Sequence, residues 1–171
     1  MGPVSAEEQI DVPREEIFSY LGDFANRPSF MDHFASGFHF FRVESMGVGA
    51  GARFSLDVRR GPMWMDSEIT ELDPPHRITE RGRGGRIGRI PVTTVWEVEE
   101  GPGSLSTVRA IFWTDAEHAV DRFKEATGMT GSVERGFRTA LRRLRDLLES
   151  GEGERPPARV AGGNRHATGV P

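Results

Sequence analysis

Three side chains in this 171-residue chain have the type and setting for chemistry inside an apolar cavity. Glu80 follows Ile78 by two positions in HRITER, so a strand would point both to one face. A carboxylate on an inward face is costly unless it is paired, which makes Glu80 a candidate acid or polar anchor. A register slip of one residue would turn it to solvent instead. Arg109, in LSTVRAIFW, can supply a guanidinium if its face of the strand is the inner one; both faces there are apolar. His33 follows Asp32, and a neighbouring carboxylate can fix an imidazole tautomer for use as a base. Adjacent helical residues point different ways, so a surface histidine is the plainer reading of His33. Glu80, Arg109 and His33 are candidates, and no catalytic residue is assigned among them.

Other patterns carry less. The five histidines have no metal-ligand spacing on any one element and there is no cysteine, so the expectation is no metal and no cofactor. RGRGGRIGR (81–89) is similar to an RNA-binding RGG run, but it stands between two strand signals and reads as a glycine-rich hairpin loop. GVGAG (47–51) is followed by a strand, not by the helix start that a phosphate cradle needs. A net charge of -4 and a pI near 5.8 give no global field toward nucleic acid or anionic membrane. No run is long and apolar enough to span a bilayer, and MGPVSAEEQI lacks the basic and apolar regions of a leader, so the expected setting is cytoplasmic.

These residues must be positioned by a recognisable set of elements. In 130–150, Val133, Phe137, Ala140, Leu141, Leu144, Leu147 and Leu148 recur at steps of three and four, the apolar stripe of a long helix. Gly136 inside it costs about 1 kcal/mol against alanine and so needs a reason: close approach of a strand, or room for a ligand. Val4 to Ile10 reads as a first strand that Glu8 interrupts. A short helix follows Pro13, with Ile17, Phe18 and Leu21 apolar, and a second spans about Arg27 to Phe34. Strands are then predicted at 38–43, 54–58, 63–72, 76–81, 90–98 and 105–113, joined by tight turns as in an antiparallel meander. Residues 115–126 read as a loose helix, and 151–171 lacks apolar periodicity and reads as a disordered tail.

IDVPREEIFSYLGDFANRPSFMDHF, GVGAGARFSLDV, ITELDPPHRI and VERGFRTALRRLRDLLE, taken in this order, resemble the START-like SRPBCC superfamily, closest in pattern to its polyketide cyclase/dehydrase and lipid-transport branch. The resemblance covers residues 3–150 or so. It implies an α+β helix-grip fold, in which a curved antiparallel sheet wraps a long C-terminal helix and encloses an apolar cavity. Members bind lipids, sterols or polyketides, and some are aromatase/cyclases. Cyclases of this kind use an arginine on a central strand after a tryptophan-containing stretch. The matching stretch here, MWMDSEITEL, has Trp64 but no arginine, which weighs against polyketide cyclisation.

The expectation is one domain, 1–150, binding a hydrophobic small molecule between sheet and helix, with a tail after it. The expected cavity wall comprises Phe54, Leu56, Trp64, Met65, Ile69, Ile78, Thr94, Trp96, Ile111 and Trp113 from the sheet, and Val133, Gly136, Phe137 and Ala140 from the helix. The partner is that ligand, with no nucleic acid and no stable membrane insertion, in a monomer or homodimer. A cyclase- or dehydrase-like enzyme using the same cavity, and a protein-interaction module, are the alternatives.

Overall fold

The structure is a computed structural model, and it describes residues 1–59, 61–85, 88–115, 129–151, 158–160 and 163–165. Seven strands form the main antiparallel sheet: β1 (Val4–Asp11), β2 (Ala35–Phe40), β3 (Gly51–Val58), β4 (Gly61–Asp73), β5 (Arg77–Gly84), β6 (Ile90–Glu100) and β7 (Leu105–Thr114). Their spatial order is β1-β7-β6-β5-β4-β3-β2. The strands from β2 to β7 are a meander, and β1 closes it by pairing with β7 from Val4↔Phe112 to Asp11↔Leu105. The sheet curls into a half-barrel around one long helix.

Between β1 and β2 run α1 (Arg14–Leu21), a turn of 3-10 helix (Phe24–Asn26) and α2 (Arg27–Met31). Pro13 sits at the entry to α1, and Ile17, Phe18 and Leu21 are its buried side. The single second helix expected to reach Phe34 is thus a 3-10 turn and a shorter helix, started by Asp23, whose side chain accepts from the Ala25 amide. The long helix, α3 (Thr130–Ser150), buries Val133, Gly136, Phe137, Ala140, Leu141 and Leu144, and ends at Gly151 in the left-handed conformation. Glu8, which interrupts the apolar face of β1, is met by Arg145 from α3. Its charge is therefore paired at the helix–sheet contact.

Alternation decides what each strand offers the interior. On β4, Met63, Met65, Ser67 and Ile69 are buried, with less-buried residues between them. The pairing with β5 then shifts: Ile69 faces Glu80 and Glu71 faces Thr79, so Thr70 is an extra residue, a bulge. Beyond it Leu72 faces the buried Ile78. The first four residues of the RGRGGRIGR run, Arg81 to Gly84, end β5, with Gly84 opposite Ile90 at the start of β6.

The stretch after Ser150, read from composition as a disordered tail, contains two short strands, β8 (Ala158–Val160) and β9 (Gly163–Arg165). β8 pairs parallel to β2, with His39 opposite Arg159 and Phe40 opposite Val160. Main-chain pairing to a sheet edge needs no apolar periodicity, which is why the pattern gave no sign of it. The loose helix expected at 115–126 lies, but for Asp115, outside the described residues.

Candidate functional site

The site is a cavity between the concave face of the sheet, α2 and α3, and a buried ion pair sets its character. Arg27, at the start of α2, is 2 % exposed, and Glu80, on β5, is 4 % exposed. Arg27 Nη2 donates to Glu80 Oε1 at 2.5 Å. Trp96 Nε1 on β6 donates to the same oxygen at 2.7 Å, and Ser67 Oγ on β4 donates to Glu80 Oε2 at 3.0 Å. The two strands flanking β5 and a helix thus converge on one carboxylate. Glu80 shares the inward face with Ile78, as alternation predicts, and sits opposite Thr94.

The guanidinium lies among aromatic rings. Its carbon is 4.4 Å from the Trp96 ring centre, 5.2 Å from that of Phe24 and 5.8 Å from that of Phe30. Ring faces favour a cation, and more so without water. Burial pulls the Arg27 guanidinium below its ordinary range; the Glu80 carboxylate opposes this most, then Asp23 and Tyr20. Arginine keeps its proton in proteins, so burial shows itself here as a demand for partners. That demand is only partly met. Arg27 Nε and Nη1 have no hydrogen-bond partner among the described residues.

Apolar side chains complete the wall. Phe24 and Met31 approach from the short helices, Phe38, Phe54, Leu56 and Met65 from β2 to β4, Thr94, Trp96 and Phe112 from β6 and β7, and Phe137 from α3. Phe38 and Phe54 stack at 4.8 Å, and Phe137 touches Trp96 and Phe112 edge-on or tilted at 5.7 Å. The depression has room for little more than one water, about 10 Å³; all the space between its wall atoms, solvent at its mouth included, comes to about 310 Å³.

Of the expected wall, Phe54, Leu56, Met65, Thr94, Trp96 and Phe137 line this cavity, with Glu80 as its anchor. The remainder lie elsewhere. Trp64 is 48 % exposed, because it neighbours Met65 in one strand and the two must face opposite ways. Ile111 and Trp113 are only half-buried and flank Phe112, which is the inward residue of β7. Arg109 shares their outer face, bound to Glu7 at 3.0 Å and near Glu97 and Glu99, so it is no cavity cation. Ile69, Ile78, Val133 and Ala140 are fully buried core that does not reach the cavity. Gly136 leaves no space for a ligand, because the Phe34 ring lies against it. His33 is also outside: its Nε2 is 3.0 Å from the Gly136 carbonyl, and Asp32 pairs with Arg143 instead of orienting it.

Arg27, Met31 and Phe24 were not foreseen, whereas the aromatics Phe38 and Phe112 were readable as cavity wall. Arg27 had a local signal. It lies three residues after Phe24 and three before Phe30, on the apolar side of a helical segment where a solvated arginine has no place.

The family described as polyketide cyclase / dehydrase and lipid transport matches residues 1–149. The chain belongs to this polyketide cyclase / dehydrase and lipid transport family. No curated protein matches its sequence. Among solved structures similar to this family member, TTHA0849 from Thermus thermophilus has a TM-score of 0.70 at 13 % identity, over 88 % of this chain and 99 % of that one. Ginseng major latex-like protein 151 from Panax ginseng has a TM-score of 0.66 at 13 % identity, over 85 % and 95 %. DynU16, from the dynemicin biosynthetic locus, has a TM-score of 0.61 at 17 % identity over 91 % of this chain, which spans 50 % of DynU16. At these identities the likeness establishes the fold, and that fold is the helix-grip arrangement.

Proposed function

We propose that the protein binds a hydrophobic small molecule in the cavity between sheet and α3, as a carrier or sequestering protein and not as a catalyst. One observation carries this reading: the cavity's acid and its cation are in direct contact. An acid–base or charge-stabilising pair that works on a substrate must leave the substrate's width between its members. Glu80 and Arg27 leave none. Glu80 also accepts hydrogen bonds from Arg27, Trp96 and Ser67, which take up three of a carboxylate's roughly four acceptor sites and lower its strength as a general base. An apolar wall with a single polar anchor is the common form of a binding site.

The enclosed space is too small for such a ligand without rearrangement. Met31 and Met65 stand at its wall, and unbranched methionines re-pack at little cost. Binding therefore proceeds with displacement of these side chains toward the open part of the depression. Family membership keeps cyclase or dehydrase chemistry as the second reading. A protein-docking face has less behind it: among the described residues Trp64 is the only large apolar side chain of a strand that is exposed.

Native mass spectrometry of the purified protein, and titration with the neutral fluorophore phenylnaphthylamine, test the proposal. A co-purifying apolar molecule, or saturable fluorophore binding that Phe137→Ala alters, is expected. Neither a bound molecule nor saturable binding would remove the ligand-binding reading.

A further inference from the structure

The two halves of the cavity's polar anchor are unequally satisfied. Glu80 accepts from three donors, at both of its oxygens, whereas Arg27 keeps Nε and Nη1 unpartnered among the described residues while being 2 % exposed. Three ring faces lie near the guanidinium, and they favour its charge without supplying lone pairs to its N–H groups. A buried donor left unmet is costly, and the cost is relieved by whatever acceptor enters beside it. Arg27 is itself one of the residues that line the cavity.

Charge decides which acceptor. The guanidinium is already neutralised by Glu80, and Asp23, another buried carboxylate, adds to the negative side. A ligand carboxylate would bring a further negative charge next to two existing ones, among side chains that are all buried. A neutral oxygen acceptor brings lone pairs without that charge. Resting on the ligand-binding reading above, we infer that the preferred ligand is a neutral hydrophobic molecule with a carbonyl-type oxygen, held by one of the two open Arg27 donors, Nε or Nη1, and that the Arg27–Glu80 pair selects against fatty-acid-like anions. Glu80 then serves to cancel the arginine's charge while leaving its donors in place.

The test uses two ligands of equal chain length, methyl heptyl ketone and nonanoate, at about pH 8 where nonanoate is ionised. Each competes with phenylnaphthylamine on the intact protein. The ketone is expected to displace the fluorophore at about ten-fold lower concentration than nonanoate, the scale of one uncompensated charge in a partly open site. With the ketone isotope-labelled at its carbonyl carbon, the infrared C=O stretch of the bound form should fall below its position in hexane, as hydrogen bonding to Arg27 requires. Glu80→Gln removes the cancelling charge and should turn the preference toward nonanoate. If that variant does not fold, competition and infrared on the parent protein still decide. Saturable fluorophore binding with nonanoate equal to or better than the ketone, or a bound-ketone stretch unmoved from hexane, overturns this inference and leaves the binding reading standing. No fluorophore binding to the parent overturns both.

Discussion

The ring of Phe34, just after α2, lies so close to Gly136 on α3 that a Cβ there would overlap it. The contact joins the short helical segment to the long helix, and Phe34 also meets Phe137 edge-on at 5.5 Å. It reverses the usual sign of a helix substitution. Gly→Ala inside a helix normally gains about 1 kcal/mol. Here Gly136→Ala should instead lose about 1–3 kcal/mol, as overpacking does. Urea unfolding checks this, and a stabilised variant would show that the ring moves aside freely.

Trp64 and Trp96 should separate cleanly by accessibility. Acrylamide should quench Trp64 most strongly, ahead of the half-buried Trp113, and Trp64→Ser should reduce the accessible fraction to that of Trp113 while shifting stability by no more than about 0.5 kcal/mol. Trp96→Phe keeps the ring but deletes the donor to Glu80 Oε1. It should cost about 1–3 kcal/mol, the penalty of leaving a buried acceptor short of a partner.

Along α3, Ala140 and Leu144 are both fully buried. Leu144→Ala should cost about 2–5 kcal/mol, the range for a large-to-small core change. A cavity wall at Ala140, the expectation from sequence, would let the ring of Ala140→Phe enter open space at little cost. With Ala140 in closed core it should cost at least about 1–3 kcal/mol. Thermal or urea unfolding of the pair gives the result; a neutral Ala140→Phe would mean that this part of the core yields.

His33 gives stability a pH dependence with a definite sign. Burial pushes its imidazole below the ordinary value, against the hydrogen bond to the Gly136 carbonyl; Arg143 adds to the fall and Asp32 opposes it. The unfolded chain therefore takes the proton first. The contribution is whole above the unfolded pKa and is lost as pH falls through the lower folded one. Between about pH 7.5 and 5, stability should decline less in His33→Gln than in the parent. Equal declines would show that His33 is not the group responsible.

The order of elements was readable because each carries its own period: steps of three and four in α3, steps of two in β3 and β6. Glu80 was readable for the same reason, through its parity with Ile78. Trp64, Ile111 and Trp113 were misplaced by chemistry overriding parity. Large aromatics look like cavity wall, yet alternation had already given the inward places to Met65 and Phe112. Arg27 depends on Glu80, 53 residues away, and no local period reports such a pairing. Its position between Phe24 and Phe30 was the one local trace. Gly136 was legible as an exception but not as to cause, since its partner Phe34 lies on a different element.

The extra residue in β4 has a consequence for how this chain tolerates change. Before Thr70 the odd-numbered positions face inward; after it the even-numbered Leu72 does. Thr70 acts as a phase setter, and its value lies in its presence more than in its side chain. Replacing it leaves the count intact, whereas deleting it forces one half of the strand out of step. Either Leu72 turns away from Ile78, or Met65 and Ser67 turn away from the cavity and Glu80 loses the Ser67 hydroxyl. In this strand the reading frame of inside and outside is thus held by one residue, and a length change of one unit can silence the site without altering any residue that touches it.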